Sequence, residues 1–352
     1  MSFDSLDTPC VLIDIDRVEA NLKRAQAYAD AHGLKLRPHI KTHKLPRFAL
    51  RQVELGAVGI TCQKLGEAEV MADAGVKDIF LPYNILGARK LARLRALAER
   101  VNLSVTADSR DTVEGLSRAF ADAARPLPVL VECDTGMGRC GVQTPEEALA
   151  LARAIAASPG LVFGGLMTYP AAGKIEANAA WLDAARALLA REGLPPPVVS
   201  NGGTPDMWRA DAVTAATEHR PGTYIYLDRY QVAKGAGWLG DCALTVLATV
   251  VSLPTADRAV IDAGSKALTS DTLGMDGFGL ILGYPDAVIR SLSEEHGVVD
   301  LSASARKPAI GERLRIVPNH ACVVSNLFDE VALISGDKVV DRVAVAARGR
   351  VD

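Results

Sequence analysis

Short apolar runs alternate with longer amphipathic stretches from the N-terminus to about residue 235. The apolar runs are rich in Val, Ile and Leu and have the lengths of buried strands. The stretches between them repeat their apolar residues with the period of a helix, and strands that alternate with helices pair in parallel. The pattern predicts helices at 17–31, 65–74, 88–100, 145–157 and 177–191, and nine strands at 11–16, 34–41, 59–63, 78–84, 102–108, 128–134, 162–169, 197–200 and 222–227.

Two α/β folds satisfy this alternation, a doubly wound sheet and a closed barrel. The number of strands favours the barrel. Nine is one more than the eight strands of a (β/α)8 barrel, and the span agrees with the usual barrel length of ~250 residues. We therefore predict a (β/α)8 TIM barrel over residues 11–238, in which the strand at 11–16 is left over.

The pattern changes after residue 240. Short apolar runs at 243–253, 259–261, 297–301, 314–317, 322–327, 330–334 and 342–346 are separated by Gly, Pro, Asp and Asn, without helix-length segments between them. Such runs are typical of an antiparallel β domain. We predict that this C-terminal antiparallel β domain comprises residues 239–352 together with residues 1–10, and that the left-over strand pairs with it.

Composition excludes several classes of protein. The 352 residues carry a formal net charge of −3, which gives no basic footprint for nucleic acid or an anionic membrane. No apolar run approaches the ~20 residues of a membrane span, and the first residues lack the pattern of a signal peptide. The six cysteines are scattered along the chain, which is typical of reduced thiols and predicts a cytoplasmic protein.

The run 37–44, Arg-Pro-His-Ile-Lys-Thr-His-Lys, follows a predicted strand and contains Lys41. A lysine held among bulky and basic neighbours tends towards the neutral amine, which is the form that attacks an aldehyde to make a Schiff base. A solvated basic patch after a strand explains the same run equally well.

Other polar residues follow predicted strands, where a barrel collects its chemistry. They are the run 134–139, Tyr169, and the run 200–204, Ser-Asn-Gly-Gly-Thr. Paired glycines followed by a hydroxyl can expose backbone N–H groups to an anion, although a Gly-Gly pair alone is more often a tight turn. A phosphate site opposite a Schiff-base lysine indicates pyridoxal phosphate.

A second group lies in the predicted β domain, in Pro-Asn-His-Ala-Cys at 318–322. Residues two apart on a strand point the same way, so His320 and Cys322 could hold one metal ion. Imidazole and thiolate suit zinc, with positions left open for water, substrate or a third ligand. A loop histidine beside a half-buried cysteine is the simpler interpretation of the same residues.

The chain resembles the D-threonine aldolase / D-serine dehydratase family, fold-type III pyridoxal-phosphate enzymes that are related to alanine racemase. The resemblance extends from residue 8 to about 329 and implies a barrel, a β domain and a homodimer. It rests on TPCVLID, RPHIKTHK, TCQKLGEAE, DTGMGRCGV, SNGGT, RPGTYIYLD, IDAGSKAL, SEEHG and PNHACVVSNL.

The resemblance assigns the residues that bind the cofactor. It makes Lys41 the Schiff-base lysine. Gly202, Gly203 and Thr204 would bind the cofactor phosphate, with help from Tyr224.

The remaining assignments concern the cofactor ring and the metal. Arg139 would stabilise the phenolic oxygen of the ring, Tyr169 would flank the pyridine, and Ser200 is grouped with the cofactor-binding residues. His320 and Cys322 match the metal pair of the family, for which zinc, manganese or magnesium is expected.

The implied activity is that of a pyridoxal-phosphate- and divalent-metal-dependent lyase acting on β-hydroxy-D-amino acids. Removal of the hydroxyl proton breaks the Cα–Cβ bond and gives glycine and an aldehyde, whereas removal of the Cα proton by Lys41 leads to dehydration to a keto acid and ammonia. We favour retro-aldol cleavage of D-threonine-type substrates. Dehydration of D-serine, D-threonine or 3-hydroxy-D-aspartate is the alternative.

Two departures from the family pattern bear on this choice. Cys322 stands where some aldolases carry Asp and where dehydratases typically have Cys, but Cys also occurs in aldolases. The run Tyr-Pro-Ala-Ala-Gly-Lys at 169–174 differs from the Tyr-Glu-Gly of many relatives, which leaves the nearby catalytic base unassigned.

Three rival functions fit less well. A racemase would not need the metal pair, and a non-catalytic pyridoxal-phosphate carrier would not need a large β domain. A metal-only barrel hydrolase would need several His or Asp ligands at strand ends, where His39 and His43 are the only histidines.

Overall fold

The computed structural model describes residues 2–352, which divide into two compact units. The barrel unit comprises Arg24–Lys41, Pro46–Gly222 and Arg350–Asp352. The β unit comprises the chain up to Lys23, Thr42–Leu45 and Thr223–Gly349. The domain bounds 11–238 and 239–352 stay a prediction.

The elements are numbered here in chain order. The helices are α1 Ile15–Ala31, α2 Pro46–Glu54, α3 Leu65–Asp73, α4 Ala88–Ala98, α5 Arg110–Phe120, α6 Pro145–Ala157, α7 Ile175–Arg191, α8 Arg229–Ala233, α9 Ser265–Leu268 and α10 Ala321–Leu327. The strands are β1 Cys10–Asp14, β2 Lys35–Leu36, β3 Ile60–Thr61, β4 Asp78–Leu81, β5 Asn102–Ala107, β6 Leu127–Cys133, β7 Leu161–Thr168, β8 Val198–Asn201, β9 Glu218–His219, β10 Leu244–Thr255, β11 Arg258–Ile261, β12 Leu280–Ile281, β13 Val288–Leu292, β14 Gly297–Asp300, β15 Arg313–Val317, β16 Glu330–Ser335 and β17 Lys338–Ala344. No helix among residues 2–352 is both long enough and apolar enough to cross a membrane.

The barrel unit contains an eight-stranded parallel sheet in the order β2-β9-β8-β7-β6-β5-β4-β3. Its two outer strands also meet, because the Val58 N–H donates to the Leu36 carbonyl at 2.9 Å and the Thr61 N–H donates to the Pro38 carbonyl at 2.8 Å. The sheet is therefore joined end to end, and the predicted (β/α)8 barrel is confirmed. Helical crossovers cover its outer surface, which explains why the strands are apolar along nearly their whole length.

One predicted barrel strand is wrong. Residues 222–227 contain the 3-10 helix Thr223–Ile225, and the eighth strand of the barrel is β9, which lies before Pro221. Pro221 has no N–H to donate to a sheet and contributes only its carbonyl, which accepts from the His39 N–H at 2.9 Å. The two residues of β9 are polar, and the hydropathy pattern gave no sign of them.

The β unit contains a mostly antiparallel sheet in the order β13-β14-β11-β10-β1-β16-β17, with β15 pairing with β10 and β12. The N-terminal strand β1 pairs with β10 in antiparallel and with β16 in parallel orientation. The prediction that the left-over strand joins this sheet is therefore confirmed. Its Leu12 packs with Leu247 and Ile334 in a buried cluster.

A second predicted strand is also wrong. Residues 322–327 belong to helix α10, and His320 is the extended residue that precedes this helix. The Ala321 N–H donates to the Asp228 carboxylate at 2.9 Å. Asp228 lies 93 residues earlier and so provides a helix start that the local sequence does not reveal.

Candidate active site

Three predicted residues meet at the carboxyl ends of the barrel strands. Lys41 lies in the 3-10 helix Ile40–Thr42 after β2, Tyr169 directly follows β7, and Arg139 lies in the loop after β6. The Lys41 Nζ lies 6.0 Å from the centroid of the Tyr169 ring, and the guanidinium carbon of Arg139 lies 5.1 Å from it. The Lys41 amine and the Arg139 guanidinium therefore both lie within about 6 Å of one aromatic ring, the usual limit for a cation–π contact.

Asp134 organises the loop that carries Arg139. Its Oδ1 accepts hydrogen bonds from the N–H groups of Gly136 and Met137 at 2.9 and 2.8 Å, and Gly138 donates to the same carboxylate. Burial raises the pKa of this carboxyl, but the backbone donors outweigh burial and hold the pKa below its usual value. The ionised side chain thus fixes the loop that carries Arg139.

The run 202–204 forms a bare backbone cradle after β8. Gly202 has a φ of 92°, and a Cβ atom there would overlap the His219 ring. A Cβ atom on Gly203 would lie 2.7 Å from the Tyr169 ring. The Thr204 Oγ1 accepts a hydrogen bond from the Gly222 N–H at 3.1 Å. Since only glycine fits at the first two positions, these residues fit a phosphate that is bound by backbone N–H groups.

A pocket lies beside this cradle and is lined by Tyr169, Gly202, Gly203 and His219, among others. His219 is 4% exposed, and no described residue donates a hydrogen bond to, or accepts one from, its ring nitrogens. Burial and the charge of Arg220 lower the pKa of His219 to about 3, so the imidazole is neutral. Sequence reasoning missed this residue.

A buried polar network lies among the barrel strands. Ser200 is fully buried, donates its hydroxyl hydrogen to Glu218, and accepts a hydrogen bond from the Arg220 Nη1 at 2.6 Å. Glu218 also accepts from the Arg37 Nε at 2.7 Å, and Arg220 donates to the Thr168 carbonyl at 2.7 Å. Burial lowers the pKa of Arg220 to about 10, and it remains a cation because Glu218 opposes that shift.

Sequence reasoning used Arg220 only as part of a family motif. Arg220 lies just beyond β9, and its partners Ser200 and Thr168 are distant in sequence, so the sequence offered no local signal for these contacts.

The predicted metal residues lie in the β unit, at the start of α10. The His320 Nδ1 lies 2.6 Å from the Asp271 Oδ2. The Cys322 Sγ lies 3.0 Å from the Thr42 Oγ1 and 3.4 Å from the Thr223 Oγ1. Tyr224, which was predicted to help bind phosphate, lies in the same unit and is buried.

Electrostatics lower the pKa of the Cys322 thiol. Burial raises the pKa of its thiol, but contact with His320 and with the two threonine hydroxyls outweighs burial and leaves the pKa below its usual value. Burial lowers the pKa of His320, whereas the contacts with Cys322 and Asp271 raise it to about 9.

These properties fit a metal site with two protein ligands. A thiol with a lowered pKa and an imidazole in contact with a carboxylate suit a transition-metal ion, which binds cysteine as the thiolate. No group of three or more His, Cys, Asp or Glu side chains within residues 2–352 is arranged to hold a metal. The two side chains would therefore share the metal with other donors.

Comparisons with known proteins agree with this arrangement. The chain matches the family described as alanine racemase, N-terminal domain, over residues 13–230, and the putative serine dehydratase domain over residues 243–334. It is 37% identical to a D-threonine aldolase of an Arthrobacter species, with 98% of this chain and 93% of that protein covered. It is 33% identical to the D-threo-3-hydroxyaspartate dehydratase of Delftia sp. strain HT23, with 95% of each covered.

A solved structure gives the same result. The crystal structure of D-threonine aldolase from Filomicrobium marinum superposes with a TM-score of 0.90 at 32% identity, covering 100% of this chain and 98% of that one. The barrel, the cradle for a phosphate and the matched sequences lead to one conclusion. The chain belongs to the D-threonine aldolase / D-serine dehydratase family of fold-type III pyridoxal-phosphate lyases.

Proposed function

We propose that this enzyme cleaves β-hydroxy-D-amino acids of the D-threonine type to glycine and an aldehyde, using pyridoxal phosphate and a divalent metal. The observation that carries the proposal is the His320–Cys322 pair, in which both side chains are held by further polar groups. A racemase or a cofactor carrier has no use for such a pair. The Arthrobacter relative, itself named a D-threonine aldolase, supports this choice.

The residues assigned to the cofactor lie in the barrel unit, except for Tyr224, which lies in the β unit. Lys41 would hold the cofactor covalently, and the N–H groups of residues 202–204 would bind its phosphate, with Tyr224 as a further donor. Arg139 would provide a positive charge for the ring oxygen, and Tyr169 would pack against the ring. Ser200 would support the cofactor site indirectly, by fixing Arg220. Its hydroxyl hydrogen is donated to Glu218 and its oxygen accepts from Arg220. When bound, pyridoxal phosphate supplies an electron sink for the bond that breaks at Cα.

The residues assigned to the metal lie in the β unit. His320 and Cys322 would hold the metal, and zinc matches imidazole and thiolate best, with manganese and magnesium as the other candidates. Such an ion supplies Lewis-acid chemistry at the β-hydroxyl oxygen of the substrate. The Thr42 and Thr223 hydroxyls lie within hydrogen-bond distance of the Cys322 sulfur and, after His320, contribute to the lowered pKa of its thiol.

Two outcomes are open to a substrate in this site. A base that takes the β-hydroxyl proton allows the Cα–Cβ bond to break, and the hydroxyl carbon leaves as an aldehyde. If Lys41 takes the Cα proton instead, hydroxide leaves Cβ, and the products after hydrolysis are a keto acid and ammonia. The second candidate is therefore a dehydratase of D-serine, D-threonine or 3-hydroxy-D-aspartate, and it is favoured by the Delftia relative, which is named a D-threo-3-hydroxyaspartate dehydratase.

Product analysis separates the two reactions. The cofactor-loaded enzyme is incubated with D-threonine and Zn²⁺ or Mn²⁺, and the products are identified by NMR, with L-threonine as the control. Glycine and acetaldehyde from the D isomer alone support the aldolase. 2-Oxobutanoate and ammonia overturn it in favour of the dehydratase, and turnover of neither isomer directs the test to 3-hydroxy-D-aspartate.

Metal removal tests the other half of the proposal. Chelation should abolish activity while the cofactor stays bound, since the metal and the cofactor are held by different residues. His320→Ala should have the same effect, and His296→Ala, which changes an exposed histidine of the same unit, should not. Full activity of metal-free enzyme contradicts the metal role. The homodimer, testable by light scattering, and the cytoplasmic location stay predictions.

A further inference from the structure

The loop that follows α9 has an unusual backbone. Thr269 has a φ of 64° and Leu273 a φ of 51°, and both values lie in the left-handed region that residues with a side chain rarely adopt. For a β-branched residue such as Thr269, this conformation is a genuine outlier. Backbone strain of this kind persists only where the surroundings fix it, and it concentrates at functional sites.

The hydrogen bonds of this loop converge on Asp271, which lies between the two strained residues. The Asp271 N–H donates to the Thr269 Oγ1 at 3.2 Å, and the Asp271 Oδ1 accepts from the Leu273 N–H at 3.2 Å. The second carboxylate oxygen, Oδ2, lies 2.6 Å from the His320 Nδ1. The loop thus anchors one oxygen of the carboxylate and presents the other to the imidazole.

The contact between Asp271 and His320 defines the state of the imidazole. An ionised carboxylate only accepts hydrogen bonds, so Nδ1 of His320 must carry the hydrogen. The lone pair available to a metal is then the one on Nε2. A carboxylate on the far nitrogen of a ligating histidine fixes the ring orientation and raises the basicity of the ligating nitrogen.

We propose that Asp271 is a positioning residue that holds His320 as the Nδ1–H tautomer, with Nε2 as its metal-ligating atom. The inference rests on the proposed function, because it concerns the metal half of that site. It adds a residue 49 positions away from His320 in sequence, outside the His-x-Cys motif. Asp271 itself does not bind the metal in this assignment.

Metal affinity measures this role directly. Cofactor-loaded wild type, Asp271→Ala, Asp271→Asn and Asp276→Asn are titrated with Zn²⁺ in competition with a chromophoric chelator. Asp276 is the matched control, because it is an acid of the same loop whose side chain is 76% exposed and pairs with Arg290. Asp271→Ala should bind Zn²⁺ about 10- to 100-fold more weakly, as expected for loss of an outer-shell carboxylate.

The other variants and readouts exclude a general loss of structure. Asp271→Asn keeps an acceptor oxygen but loses the charge, so its affinity should lie between those of Asp271→Ala and the wild type. Asp276→Asn should bind as the wild type does, and all variants should keep their cofactor and their unfolding midpoint. In ¹⁵N-histidine NMR spectra of the Zn²⁺-loaded protein, the His320 signals should show a protonated Nδ1 and a metal-bound Nε2 in the wild type, and this single form should be lost in Asp271→Ala.

The outcomes distinguish this inference from the proposed function. If the wild type binds Zn²⁺ and Asp271→Ala binds it equally well, the role of Asp271 is refuted while the metal site stands. A metal-bound crystal structure in which Asp271 contacts the ion would also overturn it. If the wild type binds neither Zn²⁺ nor Mn²⁺, the metal half of the proposed function fails, and the inference fails with it.

Discussion

Replacement of Ser200 by alanine should destabilise the barrel unit. The Ser200 hydroxyl donates to Glu218 and accepts from Arg220 at 2.6 Å, and all three side chains are buried. A hydrogen bond to a charged group contributes about 1.5–3 kcal/mol. Glu218 keeps its bond to Arg37, and Arg220 keeps its bond to the Thr168 carbonyl. We therefore take the lower end of this range for each of the two lost bonds and expect the free energy of unfolding to fall by about 3 kcal/mol.

Urea unfolding of the cofactor-free protein measures this loss. Fluorescence of Trp181 and Trp208, which both lie in the barrel unit, reports on the unit that contains Ser200. Ser117→Ala is the control, because its exposed hydroxyl donates only to the Pro159 carbonyl, and the expected change is within about 0.5 kcal/mol. A Ser200→Ala protein that is as stable as the wild type but binds pyridoxal phosphate much more weakly would refute the reasoning. The hydroxyl would then serve the phosphate directly.

Three further predictions concern the barrel unit. Lys41→Ala should abolish the borohydride-reducible adduct with the cofactor, as detected by mass spectrometry, whereas replacement of the exposed Lys35 should preserve it. Gly202→Ala should weaken cofactor binding by more than 10-fold in a fluorescence titration, because the methyl group would overlap His219. The control is Gly33→Ala, since Gly33 also has a positive φ but no atom within 4 Å of an added Cβ, and this variant should bind the cofactor with unchanged affinity. In the folded protein the pKa of His219 is about 3, below its ordinary value of about 6.5. Its contribution to the free energy of unfolding should therefore be complete above pH 6.5 and be lost as the pH falls towards 3. The total loss should be about 4–5 kcal/mol at most. A His219→Gln variant whose unfolding free energy depends on pH as steeply as that of the wild type would contradict this.

The sequence predicts the barrel well because each unit of a (β/α)8 barrel is local. An apolar strand and its helix carry their own periodicity, and a strand end places its side chain at the same face of the barrel in every unit. This logic brought Lys41, Tyr169 and Arg139 together correctly. It failed at β9, a two-residue polar strand, and at α10, whose start depends on a distant carboxylate. Periodicity contains no information on elements that are defined by tertiary contacts.

Glu218 and Asp271, the partners of Ser200 and His320, were missed for the same reason. Ser200 and Glu218 are 18 residues apart, and Asp271 and His320 are 49 apart. In the sequence, each of these residues is only one polar residue in an ordinary turn or strand. A single sequence does not reveal which of its many polar residues meet.

The metal preference depends on such distant groups more than on the His-x-Cys motif. Imidazole and thiolate alone favour zinc. The hydroxyls of Thr42 and Thr223, however, lie within hydrogen-bond distance of the Cys322 sulfur and, by donating to a thiolate, would withdraw charge from it. Asp271 has the opposite effect on His320, since a carboxylate on Nδ1 strengthens the nitrogen donor. The pair therefore behaves as a harder set of ligands than its residue types suggest, and we expect the site to accept Mn²⁺ as well as Zn²⁺.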